Sequence, residues 1–226
     1  ENLNQSNFES LAITSASYKS RKSCTFFQSS SISDNWQRFL REGKTTTLNV
    51  DHLMASVALP LIFPAVQIDK EYYGDGAMRQ ATPLSPAIRL GAEKILIIST
   101  HATGERPAIS DYHVQYPSFE KITGYMLGAL FLDGLYSDIE RLDRINQIII
   151  NAKNAEIKTN KKLMKHIDYL VIAPSEDPNE IAQKHYHHIP LSIRLLLQGL
   201  GLLEDRKSEL LSFLLFESIY TRELID

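Results

Sequence analysis

Cysteine is almost absent from this chain. Cys24 is the single one in 226 residues, which excludes an internal disulfide framework and any zinc site built on several thiolates. One thiol is compatible with a reducing compartment, and within a Ser/Thr-rich strand candidate it reads as an inert, packed side chain. Long apolar runs are missing too: nothing approaches the roughly 18 residues of a membrane-spanning helix. There is no excess of positive charge. The net charge of -3 provides no global attraction to nucleic acid or to anionic lipid, so no nucleic-acid partner is expected. Nothing near Glu1 resembles a signal peptide, and no internal repeat, low-complexity tract or Gly/Ser-rich linker divides the chain. What remains is ordinary globular composition, 43% hydrophobic and 23% charged, in a length that fits one large domain or two small ones.

Periodicity supplies the elements. Residues 10–17 and 23–29 predict two β segments joined by the basic turn Lys19-Ser20-Arg21-Lys22, a hairpin. Ser33-Asp34-Asn35 before Trp36-Gln37-Arg38-Phe39-Leu40 predicts a cap and a short helix. Asp51–Val57 is a second short helical pattern, and residues 66–73 form a small hairpin pattern turning at Asp69-Lys70. Pro83 to Leu90 predicts a helix closed by Gly91. It runs into Ile95-Leu96-Ile97-Ile98, an apolar run expected of a strand buried on both faces. Residues 101–117 predict a long loop, and Phe119 to about Ile150 the longest helix, with helical spacing of Leu127, Leu130, Phe131, Leu135, Ile139 and Leu142. Asp168–Ile172 is expected as one more buried strand, followed by helices from Pro178, from Pro190 through Leu203, and from Ser208 onward. A helix feeding directly into such a strand is half of a βαβ unit, so the class is α/β. Only two or three central parallel strands are counted, fewer than a doubly wound sheet normally has. The chain starts at Glu1 rather than methionine and stops within a helical pattern at Glu223-Leu224-Ile225-Asp226. A piece lacking N-terminal strands is therefore expected.

The most informative stretch is Tyr72-Tyr73-Gly74-Asp75-Gly76-Ala77. Glycine on each side of Asp75 permits a sharp turn and close approach of other main chain to the carboxylate. Two readings fit those residues: a type I′ or II turn closing a hairpin, and a catalytic acid or base that needs a partner.

The wider span resembles the C-terminal half of the patatin-like phospholipase catalytic domain. The pieces that carry the resemblance are Ala55-Ser56-Val57-Ala58-Leu59-Pro60-Leu61-Ile62-Phe63-Pro64-Ala65-Val66, then Tyr73-Gly74-Asp75-Gly76-Ala77, then Pro83-Leu84-Ser85-Pro86-Ala87 with Leu90-Gly91-Ala92. Three motifs stand in the right order at the right spacing. Downstream, Phe131-Leu132-Asp133, Asp138-Ile139-Glu140-Arg141-Leu142 and Arg144-Ile145-Asn146 are similar to longer bacterial members, and Arg194-Leu195-Leu196 with Leu211–Phe216 more loosely so. The resemblance implies a three-layer α/β/α fold with a mainly parallel sheet, its N-terminal strands missing here, and a C-terminal helical extension. Residues 1–110 would be the C-terminal part of the catalytic domain and 111–226 a helix-rich region on the same core. It further implies a serine lipid acyl hydrolase without metal or cofactor, in which Asp75, in the motif Gly74, Asp75, Gly76, Ala77, is the base of a Ser-Asp dyad. A serine hydroxyl is a weak nucleophile and needs an adjacent base. An aspartate that titrates near about 3.9 needs burial or altered hydrogen bonding to serve as one. Ala77 stands where many members carry a second glycine.

The nucleophile is missing. No Gly-x-Ser-x-Gly elbow occurs, and the nearest spacing, Gly124-Tyr125-Met126-Leu127-Gly128, has leucine in its place. Ser56 has Met54 and Ala58 where an elbow needs glycine, and it belongs to a segment that is structural in the family. No glycine cluster for an oxyanion hole is present. His185, His187 and His188 cluster without the spacing or carboxylates of a metal site and are expected as surface or packed residues; His52 and His101 stand alone. Asp138, Glu140, Arg141, Asp143 and Arg144 predict a solvated helix face with local ion pairs, or a latch to a missing part. Tyr125–Leu135 is expected to pack in the core rather than to line an acyl-chain site. The expected partners are a lipid ester substrate, a missing N-terminal segment of the same protein, a peripheral membrane surface and a second copy. The expected location is cytoplasmic or peripheral at a membrane. The alternative function is a non-catalytic lipid-binding or oligomerisation module.

Overall fold

A computed structural model describes residues 8–32, 34–60, 62–99, 116, 122, 134–154, 165–176, 178–191, 194–195 and 218–223. Two compact units are distinguished, Glu1–Ile95 with Asp133–Asp168, and Leu96–Leu132 with Tyr169–Asp226.

The first unit is organised by two tight hairpins. Strands β1 (Ser10–Ser17) and β2 (Ser23–Ser29) pair antiparallel from Ser10↔Ser29 to Ala16↔Ser23. Their turn closes through Ser17 N–H to Lys22 O and Arg21 N–H to Ser17 O, both 3.0 Å. β5 (Val66–Ile68) and β6 (Glu71–Asp75) form the second hairpin, turning at Asp69 with its φ of 55°. Between them lie β3 (Trp36–Gln37), β4 (Arg41–Thr45) and helix α1 (Val50–Ser56). The sheet order is β3-β4-β2-β1-β6-β5.

The class is α/β, with a mixed sheet and helices, but this sheet is not mainly parallel. Only β2 and β4 run parallel; the other pairings are antiparallel. Connectivity accounts for three of these: β1–β2, β3–β4 and β5–β6 are joined by two to five residues and so return antiparallel, whereas a parallel return needs a crossover. The helix expected over Trp36–Leu40 is also corrected. Trp36 and Gln37 pair with Gly43 and Glu42, and the Asn35 side chain accepts the Thr45 N–H at 2.7 Å instead of capping a helix.

Helix α1 begins at Asn49, whose side chain accepts the His52 N–H while His52 Nδ1 accepts the Asn49 N–H, a reciprocal cap. That cap places the buried His52 ring edge-on to Phe26 at 4.7 Å, and Phe26 in turn meets Tyr73 at 5.1 Å. Cys24, Phe26, Ala55, Ile68 and Tyr73 thus form one core cluster between α1 and the sheet. Full burial of each large apolar side chain there contributes about 1.5–3 kcal/mol. Burial pushes the Cys24 thiol up to about 12, so it stays protonated and inert.

Helix α2 (Ser85–Arg89) ends before Gly91, whose φ of 96° is the left-handed value glycine adopts without strain. Helix α3 (Gly134–Asn154) buries Ile139, Leu142 and Ile149. Its acidic residue Asp138 is not on a solvated face: it is buried, accepts the Leu84 N–H at 3.0 Å and lies 3.5 Å from Arg141. The Asn146 side-chain amide likewise holds the Ile167 backbone, donating to its carbonyl oxygen and accepting its N–H. The expected start of the long helix, 119–133, lies outside the described residues apart from Ile122, as do the loop 101–117 apart from Tyr116, and most of the helices expected over 190–203 and from 208.

Strands β7 (Lys94–Ile98) and β8 (Asp168–Ile172) run in the same direction, as the bonds Asp168 N–H to Glu93 O and Ser99 N–H to Ile172 O show. They are not buried on both faces. Ile97 is buried, whereas Leu96, Ile98, Leu170 and Ile172 are all at least half exposed. Both strands are apolar at every central position, so the run alone did not reveal that one face is open. The second unit also holds α4 (Pro178–Lys184) and α5 (Ser218–Glu223). No helix among the described residues is long and apolar enough to cross a membrane.

Candidate active site

Asp75 is the last residue of β6, not the corner of a hairpin. The hairpin turns six residues earlier at Asp69, and Asp75 instead caps a single 3-10 turn over Gly76–Met78. Its Oδ1 accepts the Ala77 N–H at 2.8 Å, and its own N–H donates to Ala58 O at 2.9 Å. The second contact ties it to the segment Ala58-Leu59-Pro60 that leaves α1. Among the described residues, Oδ2 takes no hydrogen bond. Burial raises the Asp75 carboxyl above its ordinary value, partly offset by the Ala77 N–H. The result is a carboxylate with one oxygen fixed, one oxygen available and enhanced basicity.

Close approach requires the second flanking glycine and only crowds the first. A Cβ on Gly76 would overlap the Thr14 carbonyl oxygen of β1, and one on Gly74 would come within 2.7 Å of the Tyr18 hydroxyl. Ala77 fits because its N–H, not its side chain, is what Asp75 uses. The register places Ser15 directly opposite Asp75, so their side chains share a face of the sheet. Ser15 is completely buried and its hydroxyl has no hydrogen-bond partner among the described residues. Sequence reasoning passed over Ser15, because only the strand register brings it beside Asp75.

The other candidates separate from this site chemically. Ser56 Oγ donates to Leu53 O at 2.7 Å, within α1. His52 is spent on the Asn49 cap. His185 Nε2 lies 2.6 Å from Glu223 Oε2, joining α4 to α5, and no group of metal-ligating side chains occurs among the described residues. His101, Gly124–Gly128 and residues 125–133 lie outside the described residues. A cavity of about 520 Å³ opens along Ser10, Ala12 and Thr14 towards Pro83 and Ala87. Those β1 residues alternate with Ser15, so the cavity faces away from the side that Ser15 and Asp75 share.

Helix α1 shows an unusual outer surface. His52 and Ala55 are buried against the sheet, while Val50, Leu53, Met54 and Val57 are about half exposed or more. Spacings of three and four put these four on one stripe, beside the segment that holds Asp75.

Comparison with known proteins agrees with the resemblance seen in the motifs. Residues 3–88, from before β1 to within α2, match the family described as Patatin-like phospholipase. Over that stretch the chain is similar to this family, and the matched span contains Asp75 with both glycines. The region from 89 onward lies outside it. No curated protein and no solved structure matches the chain.

Proposed function

We propose, from the patatin-like character of residues 3–88, that Asp75 is the base of a Ser-Asp dyad that hydrolyses carboxylic esters of lipids. The observation that carries the reading is the carboxylate itself: half-buried, fixed at Oδ1 by the Ala77 N–H, open at Oδ2, and raised in basicity by its desolvation. In this reading Oδ2 takes the proton of a serine hydroxyl as its oxygen attacks the ester carbonyl. The same proton returns to the departing alcohol when the acyl-enzyme forms, and water repeats the sequence to release the acid. The serine and the oxyanion donors come from a segment outside these 226 residues, which also supplies the further strands of a three-layer sheet. Residues 1–110 then belong to the catalytic domain, and 111–226 to a helical extension of the kind found in bacterial members. No cofactor takes part.

A second reading is a non-catalytic module that binds lipid or self-associates. The exposed stripe Val50, Leu53, Met54 and Val57 favours it, since apolar stripes of this kind mark interaction surfaces. The coding sequence upstream of Glu1 separates the two. A Gly-x-Ser-x-Gly there supports the enzyme, and a reading frame that opens at Glu1 supports the module.

A further inference from the structure

The turn between β3 and β4, Arg38-Phe39-Leu40-Arg41, displays what the rest of the first unit hides. Its backbone is pinned: Arg38 N–H donates to Arg41 O at 2.7 Å, and Ser23 N–H to Leu40 O at 2.9 Å. Its apolar side chains nevertheless point away from the protein, Phe39 at 91% and Leu40 at 55% exposure. Beneath them Trp36 lies so close over Gly43 that any Cβ there would overlap the ring, and it stacks on Phe27 at 4.8 Å. The Arg89 guanidinium, from the last turn of α2, sits 5.5 Å from the Trp36 ring, and Arg41 donates to the Thr82 hydroxyl just before α2.

Three arginines therefore gather around one exposed apolar tip. Among the described residues none of them is ion-paired with a carboxylate. Burial, and then the charges of Arg38 and Arg41, lower the pKa of Arg89, so the cluster is mutually repulsive. The acid that senses Arg41, Asp138, is already held by the Leu84 N–H and Arg141. Guanidinium groups stay charged under such repulsion, and repulsion of this kind is relieved by an anion. An apolar phase bordered by a layer of phosphates satisfies both halves of the feature at once.

We propose that the β3–β4 turn is an interfacial anchor: Phe39 and Leu40 enter the acyl boundary of a lipid surface while Arg38, Arg41 and Arg89 bind its phosphates. The inference rests on the lipid-ester reading and gives that reading its approach to substrate. Net charge plays no part; the attraction is local.

Trp36 is the only tryptophan of the chain, so its fluorescence reports on this turn alone. The test is sedimentation of the 226-residue chain with vesicles of phosphatidylcholine, with and without phosphatidylglycerol, together with quenching of Trp36 by bromine-labelled acyl chains. Binding is expected to the anionic vesicles, with quenching. The pairs Phe39→Ser with Leu40→Ser, and Arg38→Gln with Arg41→Gln, are each expected to weaken it about tenfold or more. Lys19→Gln with Lys22→Gln, on another turn of the same sheet, should leave it within about twofold. Circular dichroism checks that each variant is folded. Absence of binding, equal binding by all variants, or saturation by inorganic phosphate with no vesicle binding would each overturn the anchor. The last result would mean a free-anion site. The assay needs no nucleophile, so its failure leaves the dyad reading standing; in a protein that includes the serine segment, an Asp75→Asn variant that loses ester hydrolysis yet binds vesicles normally separates them in the other direction.

Discussion

Two turns of the same sheet handle their side chains in opposite ways. At Gly74-Asp75-Gly76 the Thr14 carbonyl closes in until no Cβ fits on Gly76, a carboxylate is half-buried, and one of its oxygens is fixed by a backbone N–H. At Arg38-Phe39-Leu40-Arg41 the backbone is equally well bonded, yet aromatic and aliphatic groups are pushed into solvent among cations. Burial turns the first into a candidate for chemistry because desolvation makes a carboxylate a better base. Exposure turns the second into a candidate for surface attachment because its apolar area is still available. Backbone order is common to both, so it is not what distinguishes a catalytic turn from a docking one; the surroundings of the side chains do that.

The comparison breaks most decisively at Asp75. In a protein that includes the serine segment, Asp75→Asn is expected to lower ester hydrolysis by on the order of 10³–10⁴ in kcat, with vesicle binding intact. Equal loss of both would mean that the turns are not independent. Next in size is Gly76→Ala, which forces a methyl group against the Thr14 carbonyl and is expected to cost about 3 kcal/mol in urea denaturation. Gly74→Ala meets only the movable end of Tyr18 and should cost about 1 kcal/mol.

A pH series sharpens the same contrast. Because burial raises the Asp75 carboxyl, the folded state holds its proton more firmly than the unfolded chain does. Its contribution to stability is full below the unfolded value of 3.8 and is lost as pH rises through the higher folded value. Asp75→Asn is therefore expected to raise the urea midpoint at neutral pH and to lose that advantage at pH below 3.8. A gain independent of pH would show that the carboxylate is not desolvated. The smallest effect is expected at the open turn, where Phe39→Ser should change stability by less than about 0.5 kcal/mol.

Local signals were legible wherever the structure is local. The Lys19–Lys22 and Asp69-Lys70 turns, the bounds of β1, β2 and β8, the start of α4 at Pro178 and the glycine that closes α2 all follow from neighbouring residues. The similarity of the span around Gly74-Asp75-Gly76 to patatin-like phospholipases was legible from that motif and the two on either side of it, and the match over residues 3–88 agrees, while the role of Asp75 as a base stays a proposal. What stayed hidden depends on distant partners. Trp36 looked helical because its true neighbour, Gly43, is seven residues on and the Asn35 cap is diverted to Thr45. Asp138 looked like surface because Leu84, which it holds, is far away in sequence. Ser15 and the Arg89–Trp36 stacking were invisible for the same reason.

The central claim is that these 226 residues carry the base of an ester hydrolase and not its nucleophile. The most direct measurement is turnover of p-nitrophenyl butyrate by the purified chain, side by side with Asp75→Asn. The account predicts that neither releases p-nitrophenol above the rate in buffer. Turnover by the parent chain that disappears in Asp75→Asn would contradict it, and would place a working serine within the sequence in hand.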